Sequence, residues 1–300
     1  MSASPISHQP VEVIVITGPT ASGKSALAVD MAERLGCEII SADSRQVYRH
    51  MPVCTAVPTE AERRGIRHHL LEFLEPTDYY SAARFEEDAM RLIAEMGRRG
   101  LWRVIVCGGS MMYVDALTRG LDELPTISDR VRAETLEFFN REGIDAVREE
   151  LKRLDPDYYA QTDLSNHRRL VHALEIIRES GEPVSRLRTG RRKERPFEVR
   201  KFAIDWSREE LFGRINRRVE RMVADGLETE ACALLPLRGE NALNTVGMKE
   251  MFAMFDGEMD RATAIARIGK NTRVYAKKQL TWLKRDPEIE WLAPGVLPEI

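Results

Sequence analysis

Val13-Ile14-Val15-Ile16, followed by Gly18-Pro19-Thr20-Ala21-Ser22-Gly23-Lys24-Ser25, decides the fold. The first four residues are β-branched and apolar, as a buried strand of a parallel sheet requires. The next eight fit the pattern G-x-x-x-x-G-K-[ST]. Leu27, Met31 and Leu35 then fall at helical spacing, and Gly36 suits a helix end. Strand, glycine loop and helix in that order predict a phosphate-binding P-loop. Glycines let backbone N–H groups converge on phosphate oxygens, and the helix N-terminus adds favourable partial charge. Lys24 supplies a mobile cation, and the Ser25 hydroxyl is placed to coordinate Mg²⁺. The motif selects a polyphosphate or diphosphate, not a reaction. ATPase, small-molecule kinase and diphosphate-releasing transferase all remain open.

Outward from the loop, Glu38-Ile39-Ile40-Ser41 reads as a second strand ending at Asp43-Ser44. Ligands of such sheets lie at the carboxyl ends of the strands, which places Asp43 in the same crevice. A carboxylate there holds Mg²⁺ through water, acts as a general base, or simply caps the following turn. A further strand, Leu101 to Val106, runs into Cys107-Gly108-Gly109-Ser110, behind a helix marked by Phe85, Ala89, Leu92 and Met96. It lacks the second carboxylate of a P-loop ATPase. Its glycines admit close backbone approach, with Ser110 either facing the crevice or capping a helix.

The chain has 300 residues, 43% hydrophobic and 31% charged, with a formal charge of −3. That is the composition of a soluble globular protein. No apolar run reaches bilayer length, so no membrane partner is expected. The polar start, Met1 to Pro10, does not read as a secretory signal. Cys37, Cys54, Cys107 and Cys232 are far apart and form no Cys-x-x-Cys pair. Reduced cytoplasmic thiols are expected, with Cys37 and Cys107 packed beside strands.

The segment from Gly120 to Glu198 differs from its flanks. It carries helical patterns (Val131 to Phe139, His167 to Ile177) and joints at Pro125, Pro156, Pro183 and Pro196. The prediction is an α/β fold: a P-loop NTPase-like parallel sheet with helices on both faces, plus a mostly helical insertion. Residues 1–119 and 199–300 form the core, and 120–198 the insertion.

Longer motifs carry a resemblance. They are Gly18 to Ser25, Ser41-Ala42-Asp43-Ser44-Arg45-Gln46-Val47-Tyr48, His68-His69-Leu70-Leu71 with Glu75-Pro76, and Gly108-Gly109-Ser110-Met111-Met112-Tyr113. Arg168-Arg169-Leu170, Ala173-Leu174-Glu175 and the stretch from Thr272-Arg273 to Trp282 continue the series. Together they resemble the tRNA dimethylallyltransferase (tRNA isopentenyltransferase) family, bacterial type. The resemblance implies transfer of a dimethylallyl group from dimethylallyl diphosphate to N6 of an adenosine beside the anticodon, at tRNA position 37. Diphosphate is released, Mg²⁺ is the cofactor, and the protein is a cytoplasmic monomer.

Carried over by motif, Asp43 is the base and Ser110 lies near the reacting adenine. Gly18 to Ser25 hold the diphosphate. Arg214 and Arg218, one helical turn apart on a helix with Leu211, Ile215, Val219 and Met222 inward, join them. tRNA contacts fall on Asp43, Ser44, Arg45, Gln46, Ser110, Arg132, Arg168, Arg169, Leu170, Val171, His172, Thr245, Val246, Gly247, Met248, Lys249 and Glu250. On composition alone, the arginines read as ordinary surface residues. The chain departs from the family pattern at Ser110 (commonly Thr), Val57 (Lys), His172 (Arg) and Met248 (Tyr).

Charge is segregated. Residues 186–222 hold 13 Lys/Arg against 6 Asp/Glu, and residues 261–285 hold 8 Lys/Arg and no acid. Lys270, Arg273 and Lys277 recur at helical spacing, either as a solvated face or as a phosphate-contacting stripe. The competing readings are a P-loop small-molecule or nucleotide kinase and a non-catalytic RNA-binding protein. Prenylation of free adenosine nucleotides is a closer alternative.

Overall fold

β1 (Val11–Thr17) runs between two other strands and ends at the glycine loop. The computed structural model describes residues 10–300, so the N-terminal stretch read above lies, but for Pro10, outside the described residues. Five strands join β1: β2 (Ile39–Ser41), β3 (His68–His69), β4 (Arg103–Gly108), β5 (Phe197–Ile204) and β6 (Ile289–Leu292). All pairings are parallel, in the order β3-β2-β4-β1-β5-β6.

The pleat explains the apolar run of β1. Val13 and Val15 join one core with Phe85, Tyr113 and Met248, while Ile14 and Ile16 join another with Leu27, Ala28 and Met31. A sheet covered by helices on both faces needs apolar residues at consecutive positions. The helix Lys24–Leu35 ends at Gly36, whose φ of 62° is left-handed, as the sequence predicts.

One strand expectation changes its bounds, and two strands, β3 and β5, were not expected at all. The strand predicted at Leu101–Val106 starts at Arg103 and extends to Gly108. β3 is only two residues long and borders the sheet. β5 escapes a hydrophobic reading because Glu198, Arg200 and Lys201 lie within it. Lys201 is 2% exposed yet satisfied, with its Nζ 2.8 Å from Asp286 and 2.9 Å from Glu288. A buried cation so paired is tolerated inside a strand.

The chain divides into two compact units, one of residues 1–118 and 194–300, the other Arg119–Lys193. The sequence places the return at 198/199. The structure places it earlier, because Phe197 and Glu198 already pair with Val11 and Glu12. The second unit is helical: Asp129–Leu154, interrupted at Gly143 (φ 80°), then Pro156–Gln161, His167–Ser180 and Val184–Leu187. It has its own core of Val131, Val147, Leu151, Leu170, Leu174 and Val184.

Candidate active site

β1 delivers the chain to Gly18, whose φ of 151° and tight setting both require glycine; an added Cβ would sit 2.9 Å from Ser22 Oγ. Gly23 (φ 91°) starts the helix. The N–H groups of Lys24 and Ser25 have no acceptor among the described residues, and the buried Ser22 hydroxyl has no partner. Unpaired donors at a helix N-terminus form an anion cradle. Lys24 Nζ donates to the Pro19 carbonyl at 3.4 Å. Burial pulls the Lys24 amine below its ordinary value, with Cys107 and Asp43 opposing.

The turns after β2 and β4 meet over this loop. A Cβ on Gly108 would sit 2.0 Å from the Ala42 carbonyl oxygen, so only glycine fits. The Ser44 N–H donates to Ser110 Oγ at 2.7 Å, and the two hydroxyls lie 3.0 Å apart. Ser110 therefore faces Ser44 with its side chain. Asp43 Oδ1 accepts the N–H groups of Arg45 (2.9 Å) and Gln46 (3.3 Å). Its Oδ2 takes no hydrogen bond from the described residues. Asp43 thus caps a turn with one oxygen, as one of the sequence readings has it, while its residue also lines the cavity described next.

A cavity of about 410 Å³ opens here, lined by Thr20, Lys24, Ser25, Asp43, Ser44, Arg45, Gln46, Arg218, Tyr275 and Gln279 among others. Ala28, Ile39, Leu71, Val219, Met222 and Ile268 add apolar wall. Arg218 Nη2 donates to the Thr55 carbonyl at 3.3 Å. Burial lowers the Arg218 guanidinium from its ordinary value, against the pull of Asp43. Arg214 is absent from this wall. Its Nε donates to the Ala21 carbonyl at 2.7 Å, and its guanidinium lies 4.4 Å from the Trp206 ring centroid, so it braces the phosphate loop. Cys107 lines the same cavity, its thiol pushed up to about 11 chiefly by burial.

No group of three His, Cys, Asp or Glu side chains among the described residues forms a metal cage. The donors present are the Ser25 hydroxyl and the Asp43 carboxylate, both hard oxygens. They fit an Mg²⁺ that keeps waters and shares phosphate oxygens, and do not fit a soft metal.

Comparison with known proteins gives the chain its family. The family model for IPP transferase matches residues 46–286. The tRNA dimethylallyltransferase 2 of Parabacteroides distasonis is 44% identical over 94% of this chain and 94% of its own. That of Porphyromonas gingivalis is 48% identical over 93% of each. The chain belongs to the IPP transferase family. The crystal structure of the tRNA isopentenylpyrophosphate transferase from Bacillus halodurans has a TM-score of 0.68 at 35% identity, covering 94% of this chain and 89% of that one. A eukaryotic dimethylallyltransferase acting on tRNA has a TM-score of 0.81 at 26% identity, covering 94% and 74%.

Not every residue carried over from the IPP transferase pattern is free to touch RNA. Leu170 and Met248 are fully buried, and Glu250 is 5% exposed. Glu250 holds the Gly247 N–H at 2.8 Å and Asn271 Nδ2 at 2.6 Å, so it shapes the loop. Gly247 (φ 103°) packs against Cys54, where a Cβ would sit 2.7 Å from Sγ. Arg45 donates to the carbonyls of Asn241 (2.7 Å) and Ala242 (3.2 Å), and Gln46 to those of Thr55 (3.1 Å) and Ala56 (3.0 Å). Thr245, Val246 and Lys249 do line the cavity. In the helical unit Arg132, Arg168, Arg169 and His172 are exposed, Val171 is half-buried, and His172 Nδ1 lies 3.0 Å from Glu175.

Sequence reasoning missed Tyr275 and Gln279. They line the cavity from the helix Arg261–Leu283, which was read for its charges. The signal was available: Ile268, Thr272, Tyr275 and Gln279 recur at helical spacing on a face distinct from the basic stripe.

Proposed function

We propose that this chain is a tRNA dimethylallyltransferase, moving a dimethylallyl group from its diphosphate to N6 of an adenosine next to the anticodon. The observation that carries the reading is one cavity holding a phosphate cradle, a carboxylate with a free oxygen, and an apolar wall. The P-loop with Lys24 and Arg218 binds the diphosphate and stabilises the charge that builds on it as the allylic C–O bond breaks. Mg²⁺, held by Ser25 and diphosphate oxygens, would add neutralising charge there. Asp43 accepts the N6 proton as the amine attacks carbon. Ser110, paired with Ser44, positions the adenine. The apolar wall around Ile39, Leu71 and Met222 keeps water from the allylic cation.

The helical unit, with exposed Arg132, Arg168 and Arg169, is the tRNA-binding insertion in this reading, and the target adenine flips out to reach the cavity. Free cysteines and a tRNA substrate fit a cytoplasmic protein acting as a monomer. Among the described residues no helix is long and apolar enough to cross a membrane. A small-molecule kinase is the weaker reading, since β4 closes on Cys107 and Gly108 with none of the carboxylate that P-loop phosphoryl-transfer enzymes use to hold Mg²⁺.

The test is incubation with dimethylallyl diphosphate, Mg²⁺ and bulk tRNA, followed by nucleoside mass spectrometry. A dimethylallyl mass gain on adenosine is expected. No gain, together with a phosphorylated product from ATP, would favour the kinase.

A further inference from the structure

Among the buried polar side chains that the roles above leave unused, one bridges two loops of the candidate site. Gln279 is 1% exposed on the helix Arg261–Leu283. Both ends of its amide are engaged: Oε1 accepts the Thr20 N–H at 2.9 Å, and Nε2 donates to the Gly109 carbonyl at 2.8 Å. Thr20 is the third residue of the phosphate loop, and Gly109 immediately precedes Ser110. The fit is close: a Cβ on Gly109 would lie 2.7 Å from Gln279 Nε2 and 3.5 Å from Lys24 Cε.

A buried glutamine usually does no more than satisfy polar groups that folding would strand. Here both of those groups are loop backbone at the mouth of the anion cradle. They follow different strands, β1 and β4, and one planar amide sets their separation. We propose that Gln279 is a positioning residue for the diphosphate: it fixes Thr20 against Gly109, so that the donors of the loop and Lys24 converge on one phosphate position. The same helix lines the cavity at Thr272 and Tyr275 and carries the acid-free basic run, so the amide ties that helix directly to the cradle. The proposal rests on the diphosphate-transfer reading.

The test uses Gln279→Leu, Gln279→Glu and Gly109→Ala in the full chain. KM is measured for both substrates, and the Kd of inorganic diphosphate with Mg²⁺ by calorimetry. Q279L leaves a donor and an acceptor unpaired; we expect diphosphate Kd and dimethylallyl diphosphate KM to rise about tenfold, with tRNA KM within about twofold. Q279E is isosteric and keeps the acceptor for Thr20 but loses the donor to Gly109, so it should show the same split. G109A, which pushes on Nε2 from the other side, should add little in a Q279L background. Unchanged diphosphate Kd and KM in Q279E would overturn the proposal, even where Q279L fails to fold. So would an equal rise in both substrates' KM, which marks general disruption. If wild-type protein binds diphosphate but modifies no tRNA, the transfer reading fails, while the Kd comparison still judges Gln279.

Discussion

Asp43 Oδ1 accepts the Arg45 N–H at 2.9 Å, so the candidate base also holds the turn that carries Ser44, Arg45 and Gln46. Alanine at this position removes both jobs, whereas asparagine keeps the oxygen that caps the turn and removes only the base. Asp43→Asn should therefore lower single-turnover transfer by about 10²- to 10⁴-fold with unchanged stability. Asp43→Ala should lose the same activity and about 1 kcal/mol of stability. Near-normal turnover in Asp43→Asn would sink the base assignment.

Glu250 separates a structural role from an RNA contact. Its carboxylate is buried between the Gly247 N–H and Asn271 Nδ2. Glu250→Ala strands both donors and should cost about 2 kcal/mol in urea unfolding. tRNA affinity, measured where the variant is fully folded, should fall no further than the loss of loop order explains. A variant of wild-type stability with abolished tRNA binding would restore Glu250 to the interface.

Acid sensitivity should trace to Glu38. Its carboxylate takes hydrogen bonds from Arg99 at 2.5 Å and pairs with His69 Nε2 at 2.7 Å. These partners hold it at about 2, against 4.5 for an ordinary glutamate. A depressed folded-state value stabilises the protein above the unfolded value. That contribution drains away as pH falls from about 4.5 towards about 2. It should amount to roughly 2 kcal/mol, given that Arg99 is partly exposed. Glu38→Gln should flatten the stability slope in that window, measured by urea midpoints at successive pH values.

The cysteines should respond unequally to alkylation. Burial pushes Cys54 up to about 12 and Cys107 up to about 11, so both are thiols at neutral pH. Cys232 is exposed. Iodoacetamide on the native protein should label Cys232 first, read by peptide mass spectrometry. Labelling of Cys107 at the same rate would contradict its burial.

How far the sequence spoke depends on how local each feature is. The phosphate loop was legible because strand, glycines and helix are contiguous, and periodicity resolves each. Asp43 and Ser110 were legible as strand-end residues, but their meeting through Ser44 depends on β2 lying beside β4, which no local pattern states. β5 was hidden by its charged residues, of which the buried Lys201 is neutralised by Asp286 and Glu288 from 85 and 87 residues away. Gln279 was hidden likewise, since its partners lie 259 and 170 residues away. The burial of Leu170 and Met248 shows where carrying motifs over residue by residue goes too far: a motif can include side chains that hold up its neighbours.

Salt should decide where the RNA lies. Arg132, Arg168 and Arg169 are exposed in the helical unit, and Lys270 is exposed on the acid-free helix. Arg273 and Lys277 are partly committed, Arg273 to Asn216 at 2.6 Å and both to the Phe212 ring. If six or so cations meet phosphates, tRNA affinity should fall by about 10³-fold between roughly 50 and 200 mM salt. Each phosphate-contacting arginine replaced by alanine should reduce the slope of log affinity against log salt by about one. Replacing Arg168 or Arg169 should do this, whereas Leu170→Ala should leave the slope unchanged and lower stability instead. A flat salt response would remove the basic surfaces from the interface and leave only the cavity-lining residues to hold the tRNA.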